Sequence, residues 1–111
     1  MSIIVINVDS FQNEKVLSKI DNGKKLRNSL NLNEIEKESQ DSVILIFPKD
    51  LYVLTTSYVR GLFETFIMEN DIYSYDIFEK KYKCIFNNVE NQRHFKENIR
   101  HLVREKIFFK Y

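Results

Sequence analysis

A single cysteine, Cys84, stands in a chain of 111 residues, so no disulfide can form within it. Chains of this size made for oxidising compartments usually carry paired cysteines. Two glycines and one proline are too few for a turn-rich all-β fold or for long linkers. So little glycine also leaves no loop of backbone amides to cradle a phosphate. Net charge is only +1, so no global field draws the chain to nucleic acid or membrane. Any such binding needs a local patch. No apolar run approaches the roughly 20 residues that span a bilayer. Residues 1–9 hold no basic segment followed by an apolar stretch of signal length. Together these absences predict a cytoplasmic protein without a membrane partner.

Apolar residues make up 43% of the chain and charged residues 30%, a globular balance. The length suits one domain over residues 1–111, with a core that needs no staples. Residues 2–8, with Ile3, Ile4, Val5, Ile6 and Val8, read as a buried strand. Lys15, Val16 and Leu17 suggest a short second one. Asp21, Asn22 and Gly23 read as a turn, and Asp21 or Asn22 as a helix cap. The helix that follows carries Leu26 and Leu30 one turn apart, with Leu32 and Ile35 as an extension. Residues 42–47 are continuously apolar, as expected of a central strand covered on both faces. Pro48 ends it, since proline cannot donate to a sheet ladder. Residues 51–54 form a second short apolar patch.

Thr55, Thr56 and Ser57 then place hydroxyls where a helix N-cap is wanted. Val59, Leu62, Phe63, Phe66 and Ile67 follow the i, i+3, i+4, i+7, i+8 spacing of an amphipathic helix. Gly61 sits inside it at a cost of roughly 1 kcal/mol relative to alanine, which a close packing contact would explain. Residues 71–76 are polar and aromatic and read as a loop. Residues 82–86 read as a strand, closed by Asn87 and Asn88, either of which can cap the last helix. That helix carries Phe95, Ile99, Leu102 and Val103 on one face. The order strand, helix, strand, helix, strand, helix predicts an α/β domain with mostly parallel pairing.

No catalytic signature stands out: there is no phosphate loop, paired-cysteine metal motif or nucleophile elbow. His94, Glu97 and His101, with Glu90 nearby, share one helical stripe of potential zinc ligands. The two histidines stand two turns apart, about 10 Å along the axis, too far to share one ion. A solvated polar face is therefore expected, and no metal or cofactor. Arg93, Lys96, Arg100 and Arg104 form a basic stripe able to meet phosphate or an acidic partner, though Glu97 and Glu105 intersperse it. Cys84 lies in an apolar strand and reads as a buried, inert thiol. The most informative spot is residues 55–57. A helix N-terminus favours an anion, so a phosphate added to a hydroxyl there is locally stabilised and changes the surface by nearly two charges. Simple capping also accounts for these residues. Tyr52, Tyr58, Tyr73 and Tyr75 are candidate interface aromatics.

Two neighbouring stretches resemble the centre of the STAS-like domain family of unknown function. One is residues 43–47. The other is residues 51–63, continuing to Phe66, with the turn Thr56, Ser57, Tyr58 and the pair Leu62 and Phe63. Residues 21–27 resemble the family's Asp-Gly lead into a helix, and residues 82–88 its late strand ending in Asn. The similar stretches span nearly the whole chain in the family's order. Ile46 stands where the family commonly has an acidic residue. The related anti-sigma-factor antagonists carry an Asp-Ser-Ser turn, and here Thr55, Thr56 and Ser57 lack the Asp. The resemblance implies a single STAS-like domain, a sheet of about four strands backed on one side by three to four helices. It also implies a non-enzymatic regulatory module. Such domains bind switch-protein kinases of the histidine-kinase-like ATPase class through the turn and the helix after it. The implied surface is Lys49, Asp50, Thr56, Ser57, Tyr58 and Arg60, with Thr56 or Ser57 as phosphorylation sites.

Two other roles fit the same sequence. One is a phage or mobile-element inhibitor or immunity protein that blocks a host enzyme or defence nuclease. The other is a nucleic-acid-binding module that uses the basic stripe. An enzyme is the least expected, since no acid–base pair or nucleophile constellation assembles.

Overall fold

The computed structural model describes residues 2–12, 14–38 and 40–109. Three parallel strands form the main sheet in the order β1 (Ile3–Asn7), β3 (Ser42–Ile46), β5 (Tyr82–Ile85). A second, two-residue parallel pair joins β2 (Val16–Leu17) to β4 (Val53–Leu54). Five α-helices connect and close them among the described residues: α1 (Ile20–Ser29), α2 (Leu32–Glu36), α3 (Thr56–Glu69), α4 (Tyr75–Lys81) and α5 (Val89–Phe109). The α/β class and the parallel pairing agree with the sequence reading. The strands divide into a sheet of three and a ribbon of two rather than one sheet of about four.

Strand order decides which faces are covered. Each crossover steps the same way, from β1 to β3 to β5. Parallel crossovers are almost always right-handed, so steps in one direction lay the crossover helices α1 to α4 on one face. Burial alternates accordingly. Val43 and Leu45 of β3, with Tyr82 and Cys84 of β5, are buried on the helical side. Ile3 and Val5 of β1 and Ile85 of β5 point to the other side and are 67%, 57% and 42% exposed. Ile44 and Ile46, between them, are half-buried. Residues 42–47 are thus central in the sheet but covered on one face only. The continuous apolar run had masked the alternation, because the bare face is itself built of Ile and Val.

The helical side holds the core. Phe63 of α3 is its hub, with ring centroids 5.1 Å from Phe78, 4.9 Å from Tyr82 and 5.8 Å from Phe95 in edge-on geometry. Each fully buried side chain of this size contributes about 1.5–3 kcal/mol over remaining exposed. Residues 21–23 are not a turn: α1 begins at Ile20, behind Lys19 at φ 73°. The glycine serves packing instead of a bend. A Cβ on Gly23 would lie 2.2 Å from the Tyr58 carbonyl oxygen. Residues 75–81, partly read as loop, form α4, capped by the Ser74 hydroxyl, which accepts from the Ile77 amide at 3.2 Å. Asn88 caps α5, its Oδ1 accepting from the Glu90 and Asn91 amides at 2.8 and 3.2 Å.

Candidate partner-binding surface at the start of the third helix

Leu54 pairs with Leu17, and the chain turns directly from that ribbon into α3. Thr55 is the N-cap: its backbone is extended and its Oγ1 accepts from the Tyr58 amide at 3.3 Å. The next two hydroxyls, Thr56 and Ser57, lie in the first helical turn and are exposed. Their position is that of free amides and the positive end of the helix dipole. The Thr56 hydroxyl donates to Asn98 Oδ1 of α5 at 3.1 Å. Asn98 is only 8% exposed, and its Nδ2 is buried with no acceptor among the described residues.

Tyr58 leaves the proposed surface. Its side chain is fully buried, and its hydroxyl donates to Gln12 Oε1 at 2.6 Å. Burial, and then the nearby Glu14 carboxylate, push the phenol well above its ordinary pKa. The helical period turns this fourth hydroxyl-bearing residue inward, on the side of Leu62 and Val59. Arg60 stays half-buried in a clamp: one guanidinium nitrogen meets Glu64, and the other meets Glu105 of α5 at 2.8 Å. The Glu105 hydrogen bond, chief among its partners, raises the Arg60 pKa, and Arg60 in turn holds Glu105 below the usual carboxylate range.

Lys49 and Asp50 are exposed, in the loop beside the start of α5. The Lys49 carbonyl accepts from Asn87 Nδ2 at 3.4 Å, and the Leu51 carbonyl from Asn91 Nδ2 at 3.3 Å. Asn91 and Asn98 are seven residues apart, about 10 Å along one helical face. Lys49 and Asp50 therefore flank one end of a strip whose other end is Thr56 and Ser57.

The basic stripe is largely occupied. Arg93 is bracketed by Glu90 at 2.6 Å and Glu97 at 2.8 Å. Lys96 and Arg100 stand over the Tyr75 ring, 5.0 and 5.8 Å from its centroid. The Tyr75 phenol is pushed up to about 12, first by burial and then by Glu79. Arg104 is exposed on the rim of a cavity of about 360 Å³ with Tyr73 and Ile107. Among the described residues no group of His, Cys, Asp and Glu could hold a metal ion, and His101 pairs with Glu105 at 3.3 Å. Cys84 is buried, which raises its thiol pKa well above the ordinary value.

Several polar arrangements escaped the sequence. Arg27 is buried between Glu36, Asn33 Oδ1 at 3.0 Å and the Leu62 carbonyl at 2.9 Å, and the Tyr82 hydroxyl donates to the same Glu36. Burial and Glu36 raise the Tyr82 phenol far above its ordinary value. The Lys81 and Lys106 ammonium groups reach back to the carbonyls at the ends of α2 and α3. Gln92 of α5 caps the outer edge of β5: its Nε2 donates to the Cys84 carbonyl and its Oε1 accepts from the Phe86 amide, both at 3.0 Å. A polar residue beside an apolar helical stripe was the available signal for Asn91 and Asn98. Nothing local signals Arg27 with Glu36, because their meeting depends on where α2 docks.

No helix of the described residues is long and apolar enough to cross a membrane. No protein-family model, no curated protein and no solved structure matches the chain.

Proposed function

We propose that this chain is a non-catalytic regulatory protein that binds a protein partner at the start of α3. The contact surface is Thr56, Ser57 and Arg60, with Lys49 and Asp50 flanking. The sequence resemblance points to an ATPase of the histidine-kinase-like class as the partner, and to phosphorylation of Thr56 or Ser57 as the switch.

The observation that carries the reading is the Thr56–Asn98 contact. Thr56 offers an exposed hydroxyl above a buried amide nitrogen that lacks an acceptor. A phosphoryl group on Thr56 replaces the hydroxyl proton with three acceptor oxygens and nearly two negative charges. Rotation of the Asn98 amide then turns its N–H toward that phosphate. The N-terminal amides of α3 favour the same charge. Partner contact at this spot would meet a changed field, while the helix beneath keeps its fold. Buried charges elsewhere serve the scaffold: Arg27 is paired with Glu36, and Lys81 and Lys106 hold helix ends.

The test compares affinity capture from the source cell using wild type, T56A/S57A and T56E/S57E. The reading expects one ATPase retained by wild type and the alanine variant and lost by the glutamate variant. It also expects kinase-dependent release to vanish in T56A/S57A. Retention that is equal for all three proteins, or release that persists without the hydroxyls, overturns it.

A further inference from the structure

The surface at α3 leaves one charged feature unused. The cations of α5 turn away from it, since Asn98 and Arg100 are two residues apart and face nearly opposite sides of the helix. Lys96, Arg100 and Arg104 recur every four residues, about 6 Å per step, and make a stripe along α5. All three are exposed. The Tyr75 ring lies beneath the first two, which takes up one face of each cation without cancelling its charge.

Two cavities share Tyr75 as a wall. One, of about 580 Å³, reaches Lys96 and the edge of β5; the other, of about 360 Å³, reaches Arg100, Arg104 and Tyr73. Their walls carry Lys83, Arg93, Lys96, Arg100 and Arg104 against Asp76 and Glu79. Of these cations only Arg93 is in an ion pair among the described residues. The net charge of +1 thus conceals a local excess of positive charge.

We infer that this stripe binds single-stranded nucleic acid without reading its sequence. Phosphates follow Lys96, Arg100 and Arg104, and bases turn into the cavities beside Tyr75 and Tyr73. Unpaired cations in a line, aromatic rings next to them and open space between are all in one place. Tyrosine and arginine planes stack any base, because every base has a π-face. A duplex is the worse fit, since its bases are stacked on each other and cannot enter the cavities. An acidic protein would use the cations and leave the rings and cavities idle. Three phosphate contacts on a single strand give a salt slope of about −2, so affinity should fall about twentyfold between about 50 and 200 mM salt.

Fluorescence anisotropy of a fluorescein-labelled thymidylate dodecamer tests this at those two salt concentrations. Four proteins are compared: wild type, R100Q/R104Q, Y75L and K24Q/K25Q, the last removing two exposed cations of α1. Unchanged thermal melting checks that each variant folds. Wild type is expected to bind with the stated salt dependence, and K24Q/K25Q to match it. R100Q/R104Q is expected to bind about tenfold more weakly, and Y75L about fivefold more weakly. Unlabelled duplex of the same length and polyglutamate of equal charge are expected to compete poorly. The proposal is overturned if wild type does not bind at the lower salt, or if R100Q/R104Q or a folded Y75L binds as wild type does. A loss in K24Q/K25Q equal to that in R100Q/R104Q, or a duplex or polyglutamate that competes as well as the single strand, overturns it too.

Discussion

Gly23 and Gly61 face each other where α1 crosses α3. A Cβ on Gly61 would stand 2.1 Å from the Ile20 carbonyl oxygen, and one on Gly23 would stand 2.9 Å from the Leu62 nitrogen. The two glycines of the chain are thus spent on one helix crossing, and neither has positive φ. Backbone meets backbone there, which fixes the first turns of α3 against α1 and so fixes the hydroxyls at its start.

The crossing predicts that G61A destabilises the protein. Helix propensity alone would favour alanine by about 1 kcal/mol. Overpacking against a rigid backbone costs about 1–3 kcal/mol or more, and here it wins. Urea unfolding should show a net loss of stability for G61A, and for G23A likewise. A gain in either would mean that the helices are free to separate.

The buried Arg27–Glu36–Tyr82 group makes a second prediction. R27A strands a carboxylate that has lost its guanidinium partner, at a cost of about 3–5 kcal/mol. Replacing both charges, as in R27M/E36L, costs much less, because apolar pairs of similar volume are often neutral there. Chemical denaturation of the single and double variants checks this. Equal losses in both would show that the pair is not the unit that matters.

Gln92 stands in for the missing neighbour of β5. The Phe47 amide donates to the Ile85 carbonyl at 3.0 Å, so Ile85 faces β3, and Cys84 and Phe86 turn their backbone groups outward to Gln92. Q92A opens this edge to water and to other strands. The Phe86 amide should then exchange with solvent faster, with about 1 kcal/mol lost per hydrogen bond at most. Unchanged exchange at Phe86 would show that the cap is not formed in solution.

Acid should loosen the α3–α5 contact. Glu105 is held below the usual carboxylate range, first by the Arg60 hydrogen bond and further by the Arg60 and His101 charges. A depressed folded-state pKa contributes stability above the unfolded value, and that contribution is lost as pH falls through the folded one. Stability should therefore decline as pH drops below about 5, and E105Q should decline less steeply. The side chain is partly open to water, so the effect is small. Parallel curves for the two proteins would rule out the clamp as the source.

Much of this fold was legible in the residues, and the reasons are local. Thr55 before an i, i+4 apolar stripe announced α3, and the close contact expected at Gly61 is present. Asn88 capping α5 follows from its place after a strand. What the residues did not reveal depends on strand order. Ile3, Val5 and Ile44 look like core until β1, β3 and β5 are known to add in one direction. Gly23 looks like a turn until α3 is laid beside it. At the candidate surface, exposed Thr56 and Ser57 were legible from the cap, while buried Tyr58 and the orphan amide of Asn98 required the docking of α5.

The Thr56–Asn98 contact can be watched directly. Nitrogen-15 spectra of the protein before and after phosphorylation at Thr56 report the Asn98 side-chain amide. The account predicts that the Asn98 amide protons shift and exchange more slowly with solvent once the phosphate accepts from them. An Asn98 amide that does not respond to the phosphate would contradict it.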